Sequence, residues 1–307
     1  MPSVDDRALD IARSQRGLAT RRQLLDAGVS PATITRRLQN ARWSEPVAGV
    51  VDVGTHEPTW HGRLQQVLLA TGPASWVSHR CAAYLHRFLD VDEPGHLDIL
   101  VRRGRHTAVG ALRLHTTLGL ADDETTAVSG LRCTTRARTL LDLAATTATD
   151  ELERQVLELA RRDRTAFRQL GGLLARYPTM PGRRRLLTVL ARQPEAIEKL
   201  GSALEVIGLP ALLRHGAPAP TLQYQVRDRG GAAVKRVDAA WPDLWTILEF
   251  DGAAYHDTSA ARRHDAEVRD RMRALGWTVE VLRFADLDGP RPAQIAARLR
   301  ERAATTA

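Results

Sequence analysis

Leu9, Ile11, Ala12 and Leu18 open the chain with a short helical pattern. Thr20, followed three residues later by Gln23, is a capping box that starts a second helix over residues 21–27, and Gly28 ends it. Ser30 then offers an N-cap with Pro31 at the first helical position, while Val29 and Ile34 fall at the two positions of a hydrophobic staple. Two helices joined by a short glycine-containing turn outline a helix-turn-helix. Arg42 and Trp43, then residues 46–51, read as a β-hairpin wing.

Residues 78–86 pattern as a buried helix, residues 97–101 and 112–116 alternate as strands, and a run of helices extends from residue 135 to about 191. After residue 202 the period changes repeatedly. An amphipathic helix over 202–213 precedes strand-like runs at 222–226, 233–240 and 244–251, a charged helix at 260–275 and a strand at 277–284. That order is α-β-β-β-α-β. Composition shifts near residues 54–58 and 193–195 suggest linkers. The expected fold is therefore a multidomain α/β chain: a winged helix-turn-helix at 1–54, a mixed, mostly helical middle domain at 55–198, and the α-β-β-β-α-β sheet at 199–307.

Composition narrows the setting. The chain has 307 residues, 43% of them hydrophobic, and carries a formal net charge of +8, which favours a polyanionic partner. No apolar run approaches the roughly 18 residues of a membrane span, and Asp5 and Asp6 sit where a secretory signal would be basic, so a cytoplasmic protein without a membrane partner is expected. Cys81 and Cys133 cannot form a disulfide framework and read as small buried hydrophobes. His79 and His86, seven residues apart, could bind metal or could each be satisfied in the core; no third ligand has helical spacing. Of the 44 basic residues only Lys199 and Lys235 are lysines.

Two groups of residues carry candidate chemistry. With Ile34 and Leu38 facing a core, Thr33, Arg36, Arg37 and Asn40 share the opposite stripe of a helix that begins after Ser30. Arginine forks suit guanine or phosphate, and Thr and Asn reach base edges, so the stripe suits DNA; a merely solvated polar face is the alternative.

The second group is acidic. A hairpin turning about Pro242 and Asp243 would set Asp238 across from Ile247, making Asp238 and Glu249 diagonal neighbours about 7–8 Å apart, with Asp251 on the same face. Such carboxylates repel unless a hard divalent cation, Mg2+ or Mn2+, lies between them, where it could polarise a phosphodiester. Glu205 could complete the acidic set, Gln223 is a further polar candidate, and His256 could act as general acid or base. Lys235 and Arg236 would hold a phosphate beside the acidic pocket. Solvated acids at strand ends are the alternative, although Glu249 lies within an apolar strand.

The first segment resembles the winged-helix N-terminal domain of AbiEi-type antitoxins, with Gly49-Val50-Val51 where that family has a Gly-Val-Tyr-like sequence. Residues 79–142, with Ser78-His79-Arg80 and Ala137-Arg138-Thr139-Leu140-Leu141-Asp142, resemble the family's middle region. This likeness implies a transcriptional regulator, or an antitoxin with a toxin partner protein. In the last segment, Arg236-Val237-Asp238-Ala239-Ala240-Trp241-Pro242, Leu248-Glu249-Phe250-Asp251-Gly252, Tyr255-His256, Arg263, Asp265 and Leu275-Gly276-Trp277 resemble the Vsr-like branch of the PD-(D/E)xK endonucleases. The resemblance implies a restriction-endonuclease-like fold and a Mg2+-dependent nuclease. It places the family's ligands on Asp238, Glu249 and Asp251, its histidine on His256, and its helical acid and glutamine on Glu205 and Gln223. The superfamily's lysine, two residues after the acid, is Asp251 here. Val268 interrupts the arginine phase of the helix before Gly276, which leaves Arg269 and Arg271 without an assigned role.

Overall fold

The computed structural model describes residues 3–54, 59–87, 93–103, 112–192, 203–251 and 259–306; at 191, 203–207, 259–262, 284 and 306 the backbone alone is described. Twelve helices and three sheets form a mixed α/β chain among these residues. Its contacts divide into two units, Met1–Thr139 and Leu140–Ala307. Each of the three expected segments contains one sheet.

In the first unit the order is α1 (Val4–Arg13), β1 (Leu18–Thr20), α2 (Arg21–Asp26), α3 (Pro31–Gln39), β2 (Ser44–Val47) and β3 (Val50–Asp52), with strand order β1-β3-β2. The local signals act as expected: Thr20 and Gln23 close a capping box, and the Ser30 hydroxyl accepts from Thr33 N–H ahead of Pro31. Ala8, Ala12, Leu24, Val29, Ile34, Trp43 and Val51 bury one shared core. The chain turns from α2 into α3 through Gly28 at φ 77, where a Cβ would stand 2.9 Å from the Arg7 guanidinium.

A five-stranded sheet follows in the same unit, ordered β6-β5-β4-β8-β7, from β4 (Ser75–Val77), β5 (Leu97–Arg102), β6 (Leu112–Thr117), β7 (Thr125–Val128) and β8 (Leu131–Thr134). Helices α4 (Trp60–Thr71) and α5 (His79–Leu85) accompany it, and Cys81 and Cys133 lie in its core as free thiols. His79 and His86 do not meet at a common ligand. The His79 ring pairs with the Ser78 hydroxyl at 3.0 Å and stacks on His115, while His86 Nε2 lies 2.7 Å from the Thr134 carbonyl. Burial, with His115 next, pushes the His79 imidazole down to about 3, as expected for a neutral core histidine.

The second unit has helices α7 (Thr149–Arg162), α8 (Arg164–Arg176), α9 (Arg183–Ala191) and α10 (Ala203–Arg214) ahead of a four-stranded sheet; α6 (Arg136–Leu143) carries the chain from one unit to the other. The sheet holds β9 (Thr221–Arg227), β10 (Ala233–Trp241), β11 (Thr246–Asp251) and β12 (Thr278–Arg283) in the order β12-β11-β10-β9. β11 and β12 are parallel and joined by α11 (Ser259–Ala274), and α12 (Arg291–Thr306) closes the chain. Met272 of α11 packs with Ile247 on one face. On the other face, Gly208 of α10 lies so close to Phe250 that a Cβ there would be 2.4 Å from the ring, and Glu280 is held by Arg291 and Arg298 of α12 at 3.0 and 2.7 Å. The predicted α-β-β-β-α-β order is present.

One ion pair is fully enclosed in the first unit, between Glu124 and Arg138, with side-chain exposures of 0% and 3%. Removing one member of such a pair leaves a buried charge without its partner, whereas replacing both with apolar groups is far milder. Glu124→Ala should therefore cost about 3–5 kcal/mol in chemical denaturation, and Glu124→Leu with Arg138→Met clearly less. A single variant as stable as the native protein would contradict this.

Candidate functional site

Asp238 and Glu249 come close where two strands part. β10 and β11 pair as Trp241 with Thr246, Ala240 with Ile247 and Ala239 with Leu248. Continuing that register puts Asp238 across from Glu249, two residues away from the expected Ile247. The turn is the reason. Pro242–Leu244 forms a helical turn and Trp245 follows at φ 48, held by ring contact with Trp277 at 5.2 Å, so the hairpin loop is longer than a two-residue turn about Pro242 and Asp243.

At Asp238 the ladder gives way. Its Oδ2 accepts from the Phe250 N–H at 2.8 Å, replacing a strand-to-strand bond with a side-chain one. Val237 and Ala240, three apart, both join the cluster of Ile247 and Met272, so strict alternation breaks between them. Gln223, facing Asp238 in the β9 register, has φ 51 and is exposed. This irregularity lets Lys235 share a face with Glu249, which unbroken alternation would not allow.

Glu249 is the centre of the resulting charge network. Its side chain is 7% exposed, and its two oxygens meet Lys235 Nζ and, at 2.9 Å, Arg269 Nε. Arg269 also lies 3.9 Å from Asp251, which accepts from Arg283 at 3.3 Å. Burial would raise the Glu249 carboxyl, but Lys235 and Arg269 outweigh it and hold it below the usual range. Asp238 moves the other way: burial foremost, then the Glu249 charge, lift it above the ordinary carboxylate value despite the Phe250 bond. Oxygen donors facing each other with one carboxyl resisting ionisation suit a hard divalent cation such as Mg2+ or Mn2+ in chemistry. Cations already hold both Glu249 oxygens, however, and no three ligating side chains converge among the described residues.

The remaining candidates divide. Arg236 is exposed on β10. Glu205 lies on α10, with its side chain outside the description, and His256 falls outside the described residues. Sequence reasoning missed Arg269 and Arg283 as partners of the carboxylates. A signal existed for Lys235, one of two lysines among 44 basic residues.

On α3 the exposed stripe is turned relative to expectation. Arg37 is not free on it: its guanidinium binds Asp5 of α1 at 2.6 Å and is 17% exposed. Thr33 is half-buried, its hydroxyl 2.9 Å from that of Ser30. Pro31, Ala32, Thr35, Arg36, Gln39 and the C-cap Asn40 are the exposed positions, and Arg36 and Asn40 remain from the expected set. Arg37 is lost from the expected stripe because Asp5 of α1 takes up its guanidinium.

No protein-family profile matches the chain. It is 31% identical over 118 residues to the uncharacterized proteins Rv2248 and MT2308 of Mycobacterium tuberculosis, covering 38% of this chain. The chain spans 43% of the length of those curated relatives. Among solved structures, the RV2827C protein of Mycobacterium tuberculosis aligns over 62% of this chain and 82% of its own, at 16% identity and a TM-score of 0.33.

The raised Asp238 carboxyl sets a pH dependence. A group titrating higher in the folded than in the unfolded state stabilises below its unfolded value, near 3.9, and that contribution is lost as pH rises through the folded value. Asp238→Asn keeps an acceptor for Phe250 N–H and removes repulsion from Glu249, so its Tm at pH 7 should exceed the native one by about 2–4 °C. The gain should vanish near pH 3. Equal or lower Tm at neutral pH would contradict the assignment.

Proposed function

We propose that the protein binds DNA and cuts it with a divalent-metal-dependent endonuclease domain. The single observation that carries this reading is the Asp238–Glu249 opposition at the point where β10 and β11 part, with Lys235 on Glu249. The α-β-β-β-α-β order of the second unit fits a restriction-endonuclease-like, Vsr-like fold, and the helix and strand order of residues 4–52 fits a winged helix-turn-helix.

Asp238 and Glu249 would hold Mg2+ or Mn2+, with Asp251 in support. The ion would supply Lewis acidity to a phosphodiester. The superfamily's lysine is absent from β11, where Asp251 occupies its place; Lys235 on β10 meets Glu249, and its amine would neutralise charge on the phosphate being cut. Arg36 and Asn40, with Thr35 and Gln39 beside them, would meet duplex DNA through α3.

A second reading is favoured by the two cations already paired with the Glu249 oxygens. An AbiEi-like regulator or antitoxin, paired with a toxin protein, would keep the sheet as a scaffold and need only the α3 surface.

Incubation of supercoiled DNA with the protein in Mg2+, Mn2+ or chelator should show metal-dependent cutting that Asp238→Ala and Glu249→Ala each reduce by at least about 100-fold, the scale of a lost essential group. Cutting that survives both substitutions, or none at all, would overturn the enzyme reading. In gel shifts across a salt series, Arg36→Ala should lower the slope of log affinity against log salt by about one. An unchanged slope would remove Arg36 from the phosphate contacts.

A further inference from the structure

The cations around Glu249 are placed unequally. Lys235 presents one point charge to Oε1, while the Arg269 fork spans two carboxylates, at 2.9 Å from Glu249 Oε2 and 3.9 Å from Asp251 Oδ2. Its side chain is 23% exposed against 7% for Glu249, so the arginine is the more accessible member of the pair. A carboxylate this enclosed requires a compensating cation at all times. A divalent ion brought to the same oxygens would meet the Arg269 charge at close range and be repelled. A planar guanidinium has one other strong class of partner, the phosphate oxyanion, which it can bind in bidentate fashion.

Resting on the nuclease reading, we infer that Arg269 is an exchangeable counter-cation: it guards Glu249 in the free protein and transfers to a DNA phosphate on binding, so that DNA binding and divalent-ion uptake are coupled. The ion replaces the charge that leaves, and the phosphate gains the arginine. Arg269 is thus a positioning residue that makes ion uptake conditional on the polyanion. Arg271, two residues on, pairs with Asp228 at 3.4 Å and serves as a control.

Calorimetric titration with Mn2+ tests this in the full-length protein, alone and with a phosphorothioate duplex that resists cutting. Coupling of this kind is commonly worth about tenfold in affinity. The duplex should tighten Mn2+ binding to the native protein by about tenfold. Arg269→Gln should bind Mn2+ about tenfold more tightly without DNA and gain little from the duplex. Arg271→Gln should behave like the native protein, and Arg269→Lys, which keeps the charge but not the fork, should show a smaller gain from the duplex than native. Native protein that gains nothing from the duplex overturns the exchange even if Arg269→Gln fails to fold, and an Arg269→Gln protein binding Mn2+ no better than native overturns it as well. Should every form take up Mn2+ equally, the exchange falls and the nuclease reading stands. Should none take it up, both fall.

Discussion

Burying Glu249 within a β-sheet is the constraint on which the second unit depends. A carboxylate at 7% exposure has lost most of its water, and only opposite charge at both oxygens keeps it ionised. Lys235 and Arg269 supply that charge from a neighbouring strand and from the helix above the sheet. The arrangement also fixes geometry: the ladder must part at Asp238 for Lys235 to reach across, and Asp238 then closes the gap through Phe250 N–H. A cluster this charged contributes little to stability beyond its own desolvation cost, and Asp238 works against stability at neutral pH. Groups held at such cost are characteristic of sites rather than of scaffolds.

The N-terminal three-helix and three-stranded element follows the opposite logic. Its core is small and apolar, and its helices are set by local caps. Ion pairs such as Arg37 with Asp5 and Arg21 with Glu45 lie around that core. What remains exposed on α3 is short and uncharged except for Arg36. Affinity from this helix would rest on few charges, so phosphate contacts elsewhere in the chain would have to contribute.

Much of this was legible in the sequence because the signals are local. The Thr20–Gln23 box and the Ser30–Pro31 start act within one helical turn, and the succession of helices and strands after residue 202 is read from period. The hairpin register was not legible, since its loop is shaped by a contact between Trp245 and Trp277, thirty-two positions apart in sequence. Arg37 was misplaced on the exposed stripe because its partner, Asp5, belongs to another helix. Arg269 stayed without a role because helical phase cannot reveal a carboxylate on a strand. The three short strands β4, β7 and β8, of three or four residues each, are too brief for alternation to register.

On the proposed nuclease reading, the carboxylates at the parting of β10 and β11 form a divalent-cation site. Crystals of the protein with a phosphorothioate duplex, grown with Mn2+ and measured near the manganese absorption edge, test it most directly. An anomalous peak within coordination distance, about 2.2 Å, of carboxylate oxygens of both Asp238 and Glu249 is the predicted result. Glu249 still bound by Lys235 and Arg269, with no peak between the two strands at saturating Mn2+, would contradict it.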